Sequence, residues 1–356
     1  MEPTQFLQYI QQYAPKLLLE VTKYLNDTLR ENAYYHQRFL TPKYSVTGSW
    51  EVINEYNKAI AADVIALDSS IPLKSNPTIE TYGGEIPKVA TERALNESDL
   101  RKLRLMEKSN APLSQIKEMV FRNLPVVIKA QYERHELNFL QGLSTGQILL
   151  TNADNVGSNV RVDFGYKAEN KFTASVVWGN TGYTPLTDLE LVVEKSRADG
   201  TPIKKFLIDR IAFNHIRKSD EAKTYWNPLA GTQPSLNLEQ LNSIVESNLG
   251  FTFEIIERTV RVEIDGKEKS ITPWKAGMVI GITSDDLGAL VYTDVVEYDN
   301  KVAGVDYRTA GNNNYIMTKQ FRMNRPSLKE ITASESMSLT VLSNVNEIYS
   351  FDSTTV

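Results

Sequence analysis

The stretch from Asn110 to Leu143 limits, more than any other, what this chain can fold into. Leu113, Ile116, Met119, Val120, Leu124, Val127, Ile128, Tyr132, His135 and Phe139 recur there at three- and four-residue steps. Asn110 is placed to cap a helix and Pro112 suits its first turn. The spacing predicts one long amphipathic helix. At about 1.5 Å per residue it spans roughly 45 Å, longer than a small domain is wide, so several layers must share it as a spine. Its opposite face carries Lys117, Glu118, Arg122, Lys129, Glu133, Arg134 and Glu136, which suits water or polar partners and not lipid. Pro125 removes an amide donor and crowds the turn before it, which predicts a bend between Phe121 and Pro125. Gly142 and Gly146 are expected to stop the helix.

A spine of that length needs a body to cover it. With 356 residues, 41% hydrophobic and 23% charged, the chain can fill two or three cores and is not generally disordered. The 39 basic and 44 acidic residues leave a formal charge of -5, which lacks the basic excess of a dedicated nucleic-acid binder and leaves room only for local basic patches. Without cysteine there is no disulfide framework, no thiolate metal site and no cysteine nucleophile, in keeping with a reducing compartment. Apolar runs such as Leu17 to Leu19 fall far short of the ~20 residues a bilayer span needs, and no positively charged start precedes an apolar leader. No membrane role is expected.

In chain order, Phe6, Leu7, Ile10, Leu17, Leu18, Val21, Tyr24, Leu25 and Leu29 predict a terminal helical arm over 4–30, broken at Pro15 and packed on its own body or on a neighbour. Tyr34 to Tyr56 is aromatic without a period and reads as irregular extended chain. Ala59 to Leu67 and Glu85 to Leu95 read as the two strands of a hairpin. The connection Asp68 to Gly84 is about 17 residues long, against the usual 2 to 5, so something outside the subunit should hold it. After the spine, strands are expected at Gln147 to Leu150 and Asn159 to Phe164 around a polar turn at 152–158. A helix follows from Leu186 to Ala198, capped by Thr187 or Asp188 and ended at Gly200. Further on come the strand Lys205 to Ile208, helices at Ile211 to Lys223 and Leu238 to Leu249, and strands at 251–256 and 259–264. An Asp265-Gly266 hairpin turn leads into Lys267 to Ile271, and strands follow at Met278 to Ile282 and Leu290 to Val296. This alternation implies an α/β lobe. A loop from Gly304 to Asn314 then leads to strands at Tyr315 to Arg322 and Ser336 to Leu342 that return to the spine.

Enzyme chemistry finds little support. His36, His135 and His215 lie in unrelated contexts at no metal-site spacing, and His135 falls on the apolar stripe, where a hydrogen-bonded core histidine is the default. P-loop, dinucleotide, nucleophile-elbow and His-Glu-x-x-His patterns are absent. Asn152, Asp154, Gly157 and Asp163 imitate a calcium loop, but Val156 takes a ligand position and the final glutamate is missing. Asp285 and Asp286, with Gly288 nearby, read as a turn. No catalytic, metal or cofactor-binding residue is assigned. Arg101, Lys102, Arg104 and Lys108, interleaved with Leu100, Leu103 and Leu105, suit a phosphate backbone or a plain solvated face.

The order of these elements, with Gly83-Gly84-Glu85-Ile86-Pro87-Lys88, the spine end Leu140 to Gly146, Val162-Asp163-Phe164-Gly165 with Glu169-Asn170, and Pro185-Leu186-Thr187-Asp188-Leu189, resembles the major capsid proteins of tailed phages, in particular the phage lambda coat-protein (major capsid protein E) family. The resemblance covers nearly the whole chain. It implies an α+β tailed-phage major capsid fold: an N-terminal arm over 1–58, an extended hairpin loop over 59–96, a peripheral domain with the spine over 97–185, an axial domain over 186–305, and a return to the peripheral domain over 306–356.

The function so implied is self-assembly through hexamers and pentamers into an icosahedral head enclosing double-stranded DNA, contacted non-specifically. Ile71, Leu73, Ile79 and Tyr82 are the candidate intersubunit contacts. A portal, a scaffolding protein and in some members a decoration protein are the implied further partners; without the long charged helical leader that serves some members as a fused scaffold, the expectation is a separate scaffolding protein or none. The implied location is the virion, assembled in the bacterial host cytoplasm. Two other readings share the residues: an encapsulin-like compartment shell protein, and a soluble α/β hydrolase or ligand-binding protein using a pocket beside Asp285 and Asp286. Sedimentation separates the last from the others, because shells or capsomers far outweigh a 40.2 kDa enzyme.

Overall fold

The computed structural model describes residues 2–29, 33–55, 79–150, 160–226, 236–264 and 267–356. Helix α1 (Leu7–Leu25) buries Ile10, Ala14, Leu18 and Leu25 against the chain's own body. Pro15 lies inside this unbroken helix and does not break it as expected. It and Gln11 are both exposed, so the carbonyl that Pro15 leaves unpaired faces water.

The stretch expected to be irregular holds α2 (Tyr35–Phe39), β1 (Leu40–Tyr44) and β2 (Ser49–Glu55). Only Leu40 of β1 is buried, so no alternation announces that strand. β2 pairs antiparallel with β3 (Ile79–Glu85), Ser49 opposite Glu85 and Glu55 opposite Ile79. The expected hairpin strand 59–67 and the loop positions 68–78 lie outside the described residues. Its expected mate is β4 (Lys88–Leu95), which pairs instead with residues 330–337 of the main sheet.

The helix α3 (Glu97–Lys108) opens on a reciprocal Asn96–Asp99 capping box. Asn110 is no cap: at φ 52° it turns the chain into α4 (Leu113–Phe121), whose N-cap position is Pro112. The spine is two helices, because α5 (Leu124–Thr145) begins afresh after Arg122 and Asn123, with Pro125 in a first turn that needs no amide from it. Gly142 does not stop α5. A Cβ there would lie 2.9 Å from the Phe164 ring, so its bareness lets the following chain pack close, and the left-handed Gly146 ends the helix.

Strands β5 (Gln147–Leu150) and β6 (Val160–Asp163) pair antiparallel, and the turn 152–158 lies outside the described residues. After β7 (Lys171–Thr173), α6 (Pro185–Ala198) has Thr184 at its N-cap, not Thr187 or Asp188. Asp188 is buried and accepts from Ser175 Oγ at 2.7 Å and Trp178 Nε1 at 2.9 Å. β8 (Lys205–Ile208) precedes α7 (Arg210–Lys218) and α8 (Asp220–Trp226). The single helix expected over 211–223 splits because Ser219 Oγ accepts from the Ala222 amide and caps a new start. Next come α9 (Leu238–Leu249), β9 (Thr252–Ile255), β10 (Val260–Ile264), β11 (Lys267–Ile271), β12 (Met278–Ile282) and β13 (Gly288–Thr293). The Asp265-Gly266 turn lies outside the described residues. β14 (Asp306–Ala310) replaces the expected loop, and β15 (Ile316–Met323), β16 (Lys329–Leu342) and β17 (Tyr349–Asp352) complete the chain.

One sheet has the order β1-β13-β16-β15-β14, with β4 also on β16, and α5 lies across β16 and β4. β2–β3, β5–β6 and β10–β11 form two-stranded sheets, and a second large sheet runs β7-β17-β12-β8-β9. Its helix-bearing face is sealed by Leu189, Val193, Phe206, Phe213, Val245 and Phe253. From the opposite face Leu207, Ile280 and Ile282 join Phe139 and Leu143 of the spine in one core. The α+β class expected from the sequence is therefore present, with the spine as the element common to both sheets.

Candidate assembly surfaces

The strands β2 and β3 form a two-stranded sheet of their own. Trp50 roots it: the side chain is 5% exposed within the core shared by Phe139 and Ile280. Gly84 lies directly across from Trp50, and a Cβ there would come 3.1 Å from the indole nitrogen, so the ring needs that bare position. The Ile86 amide donates to the Gly48 carbonyl at 3.0 Å and closes the base. Of the candidate contacts, Ile71 and Leu73 lie outside the described residues. Ile79 and Tyr82 fall on β3, opposite Glu55 and Val52.

Beneath this root, α5 meets β16 through polar side chains. Gln131 Nε2 donates to the Ser334 carbonyl at 3.2 Å and to the Val89 carbonyl at 3.3 Å, while Ser334 Oγ donates to the Val127 carbonyl at 2.7 Å. Ser336 Oγ donates to Gln131 Oε1 at 3.0 Å, and Ser338 Oγ lies 3.2 Å from His135 Nε2. Gln131, His135, Ser334, Ser336 and Ser338 have no solvent exposure at all. His135 is thus a hydrogen-bonded core histidine, as its place on the stripe predicted. Burial, and then the neighbouring His36 and Arg134, hold its pKa well below the usual imidazole range.

A third contact set was not foreseen. Glu136, expected on the solvated face, is fully buried and accepts from the Tyr35 and His36 amides at 3.0 and 3.1 Å and from His36 Nδ1 at 2.7 Å. It serves as the cap that α2 lacks from its own N-cap residue. Tyr34 Oη donates to Glu133 at 2.8 Å, and Arg258 bridges Glu133 while lying 4.5 Å over the Tyr34 ring. On the far side Tyr35 Oη reaches the Ile255 carbonyl and Arg38 grips Glu254 with two nitrogens. Burial alone would raise Glu254, but Arg38 and Lys205 hold it below the usual carboxylate range. Residues 34–38 therefore staple the spine to the lobe. No local signal marks such a pairing, since Glu136 and His36 are a hundred positions apart.

Asp285 and Asp286 are exposed turn carboxylates, Asp285 paired with Lys205 at 3.1 Å. His215 packs against Gly179 and Tyr183, far in sequence from both other histidines. Among the described residues, no group of three or more His, Asp or Glu is arranged to hold a metal ion, and no helix is long and apolar enough to cross a membrane.

No family model and no curated protein matches the chain. Solved structures do, and the spine, the two sheets and the separate strand pair together define the tailed-phage capsid fold. A protein assigned as the capsid protein of a prophage of E. coli CFT073 superposes with a TM-score of 0.56 over 94% of this chain and 98% of that one, at 13% identity. A phage-related protein from Bordetella bronchiseptica RB50 gives 0.52 over 95% and 97%, at 12% identity. At these identities the likeness is one of fold, and it does not single out the lambda coat-protein family from others that share it.

Proposed function

We propose that this chain is a major capsid protein whose copies assemble through hexamers and pentamers into an icosahedral phage head around double-stranded DNA. The observation that carries the reading is the pair β2–β3, a two-stranded sheet rooted in the core through Trp50 and leading into residues 56–78. Ordering so long a connection costs ~1 to 2 kcal/mol per residue, and an adjacent copy is the natural source of the offsetting contacts, through Ile71, Leu73, Ile79 and Tyr82. The spine with the first sheet acts as the peripheral part, and the lobe on the second sheet as the axial part that meets its copies at five- and six-fold centres. Scaffolding, portal and decoration proteins are its further partners, and the virion, built in the host cytoplasm, is its location.

The experiment replaces residues 56–78 by an Asn-Gly turn, a geometry that two antiparallel strands accept. The shortened protein should stay soluble and keep the circular dichroism and cooperative melt of the parent, yet form no closed shells where the intact chain does. Normal particles from the shortened protein, seen by electron microscopy, would overturn the reading.

A further inference from the structure

We infer that the outward face of α3 is a binding surface for the phosphate backbone of duplex DNA. The helix turns Leu100 and Leu103 inward, at 2% and 0% exposure. At 3.6 residues per turn, Arg101, Arg104 and Lys108 then fall within about 60° of one another on the flank beside Leu100, with Leu105 pointing most directly away from the two leucines and Lys102 beyond it. All four cations are exposed. Among the described residues none of them has an ion-pair partner, and the nearby carboxylate of Asp99 is taken by Arg122 at 2.6 Å.

The stripe from Arg101 to Lys108 is about 10 Å long, which matches about three phosphates of one strand at 3.4 Å of helix axis each. Charge is distributed to favour that spot. Residues 97–122 hold Arg101, Lys102, Arg104, Lys108, Lys117 and Arg122 against Glu97, Asp99, Glu107 and Glu118, a net of +2, so a chain of -5 carries -7 elsewhere. A polyanion is drawn to α3 and repelled by the remainder. The helix has no Asn or Gln to read an adenine edge, and its Arg and Lys side chains are assigned to the phosphates, where contact carries no sequence preference. Guanine pairing by the arginines would show as a preference for G-rich duplexes. Only the choice of duplex DNA as the polyanion rests on the capsid reading.

The test is a salt titration of the intact protein with a random-sequence duplex, followed by fluorescence anisotropy. Each neutralised phosphate contributes about 0.9 to the slope of log affinity against log salt. The variant Arg101→Gln/Arg104→Gln/Lys108→Gln should therefore lose about 2.7 from that slope, and Arg104→Gln alone about 0.9, whereas Arg104→Lys keeps it. The matched variant Arg261→Gln/Lys267→Gln/Lys269→Gln on the exposed β10–β11 pair should leave it unchanged. Leu105, 59% exposed beside the stripe, separates duplex from protein: Leu105→Ser should not alter DNA binding. The inference is overturned if the intact chain binds no duplex at low salt or if the triple variant keeps the full slope. It is equally overturned if the triple variant and Leu105→Ser both block shell formation while DNA binding persists, which would make α3 an interface between copies. A slope that falls as expected in a protein that never forms shells would sustain the α3 surface and remove the capsid reading instead.

Discussion

The spine and the lobe both lay helices on a sheet, and they seal the contact in opposite ways. In the lobe, Leu189, Val193 and Val245 of the helices meet Phe206 and Phe253 of the strands, and the layer is mainly apolar, with Asn242 bonded to the Phe253 backbone at the edge strand. Under the lower spine, Gln131 and His135 meet Ser334, Ser336 and Ser338 through hydrogen bonds with no water between. Apolar burial is non-directional, so it holds two layers together without fixing how one sits along the other. Hydrogen bonds do fix it. A one-residue slip of β16 would carry its serines to the far face and leave buried Gln131 with only the Val89 carbonyl of β4, so the polar seam sets the register of spine on sheet.

The comparison can be broken first where the spine itself turns apolar. Val127 is 0% exposed, and Val127→Asp buries an unpaired charge at a cost of several kcal/mol against a total stability of roughly 5 to 15. This variant should fail to fold, which loss of the cooperative melt in circular dichroism would record. A cooperative melt near the parent's would show that the upper spine can open to water. Next, Phe206→Ala removes the ring that packs edge-on against Phe251 at 4.7 Å and should cost about 3 to 5 kcal/mol in urea unfolding. A loss below about 1 kcal/mol would mean that the lobe core closes over the gap.

Gln131→Leu should cost less, about 2 to 3 kcal/mol, by leaving the Ser336 hydroxyl and the Ser334 carbonyl short of partners. Adding Ser336→Ala should recover part of that loss, since removing both partners of a buried bond is far cheaper than removing one. No recovery would show that the seam does not act as coupled pairs. The smallest effect is with acid. His135 is held neutral in the fold, with Ser338 at Nε2, His36, Arg134 and Tyr315 as its charged or titratable neighbours, and no partner at Nδ1 among the described residues. Its folded pKa lies below its unfolded value of about 6.5, so the unfolded chain gains the proton first and stability drains as pH falls below that value, by up to about 1.4 kcal/mol per pH unit. Melts between pH 7 and 5 should therefore fall more steeply for the parent than for His135→Gln. Equal slopes would remove His135 as the titrating group.

What could be read from the residues followed their range of action. α9 was legible to its last residue because its signals are local, with Leu241, Ile244, Val245 and Leu249 buried at helical steps and a left-handed Gly250 behind them. β8, β11 and β12 were equally plain. The strand over 88–95 was legible as a strand and not in its pairing, since its partner lies some 240 positions further on and no turn joins the two. Glu136 was placed on the wrong face because a helical wheel separates charge from apolar surface and cannot foresee a carboxylate that caps a remote helix. Of the candidate assembly contacts, the sequence shows the apolar content of Ile71, Leu73 and Ile79, and a single chain carries no signal for what they touch.

The staple at residues 34–38 bears on the order in which the protein can be made. Its bonds to Glu136 span about a hundred positions, and those from Tyr35 and Arg38 to the far side span 220 and 216. Contacts of such separation must wait for their loops to close, and during synthesis they wait for the second partner to leave the ribosome. A nascent chain that ends before Gly288 therefore has its first sheet strand, β1, without its partner, because β13 begins only there. The subunit is locked from its C-terminal half backwards, and a truncated product lacks a finished N-terminal region.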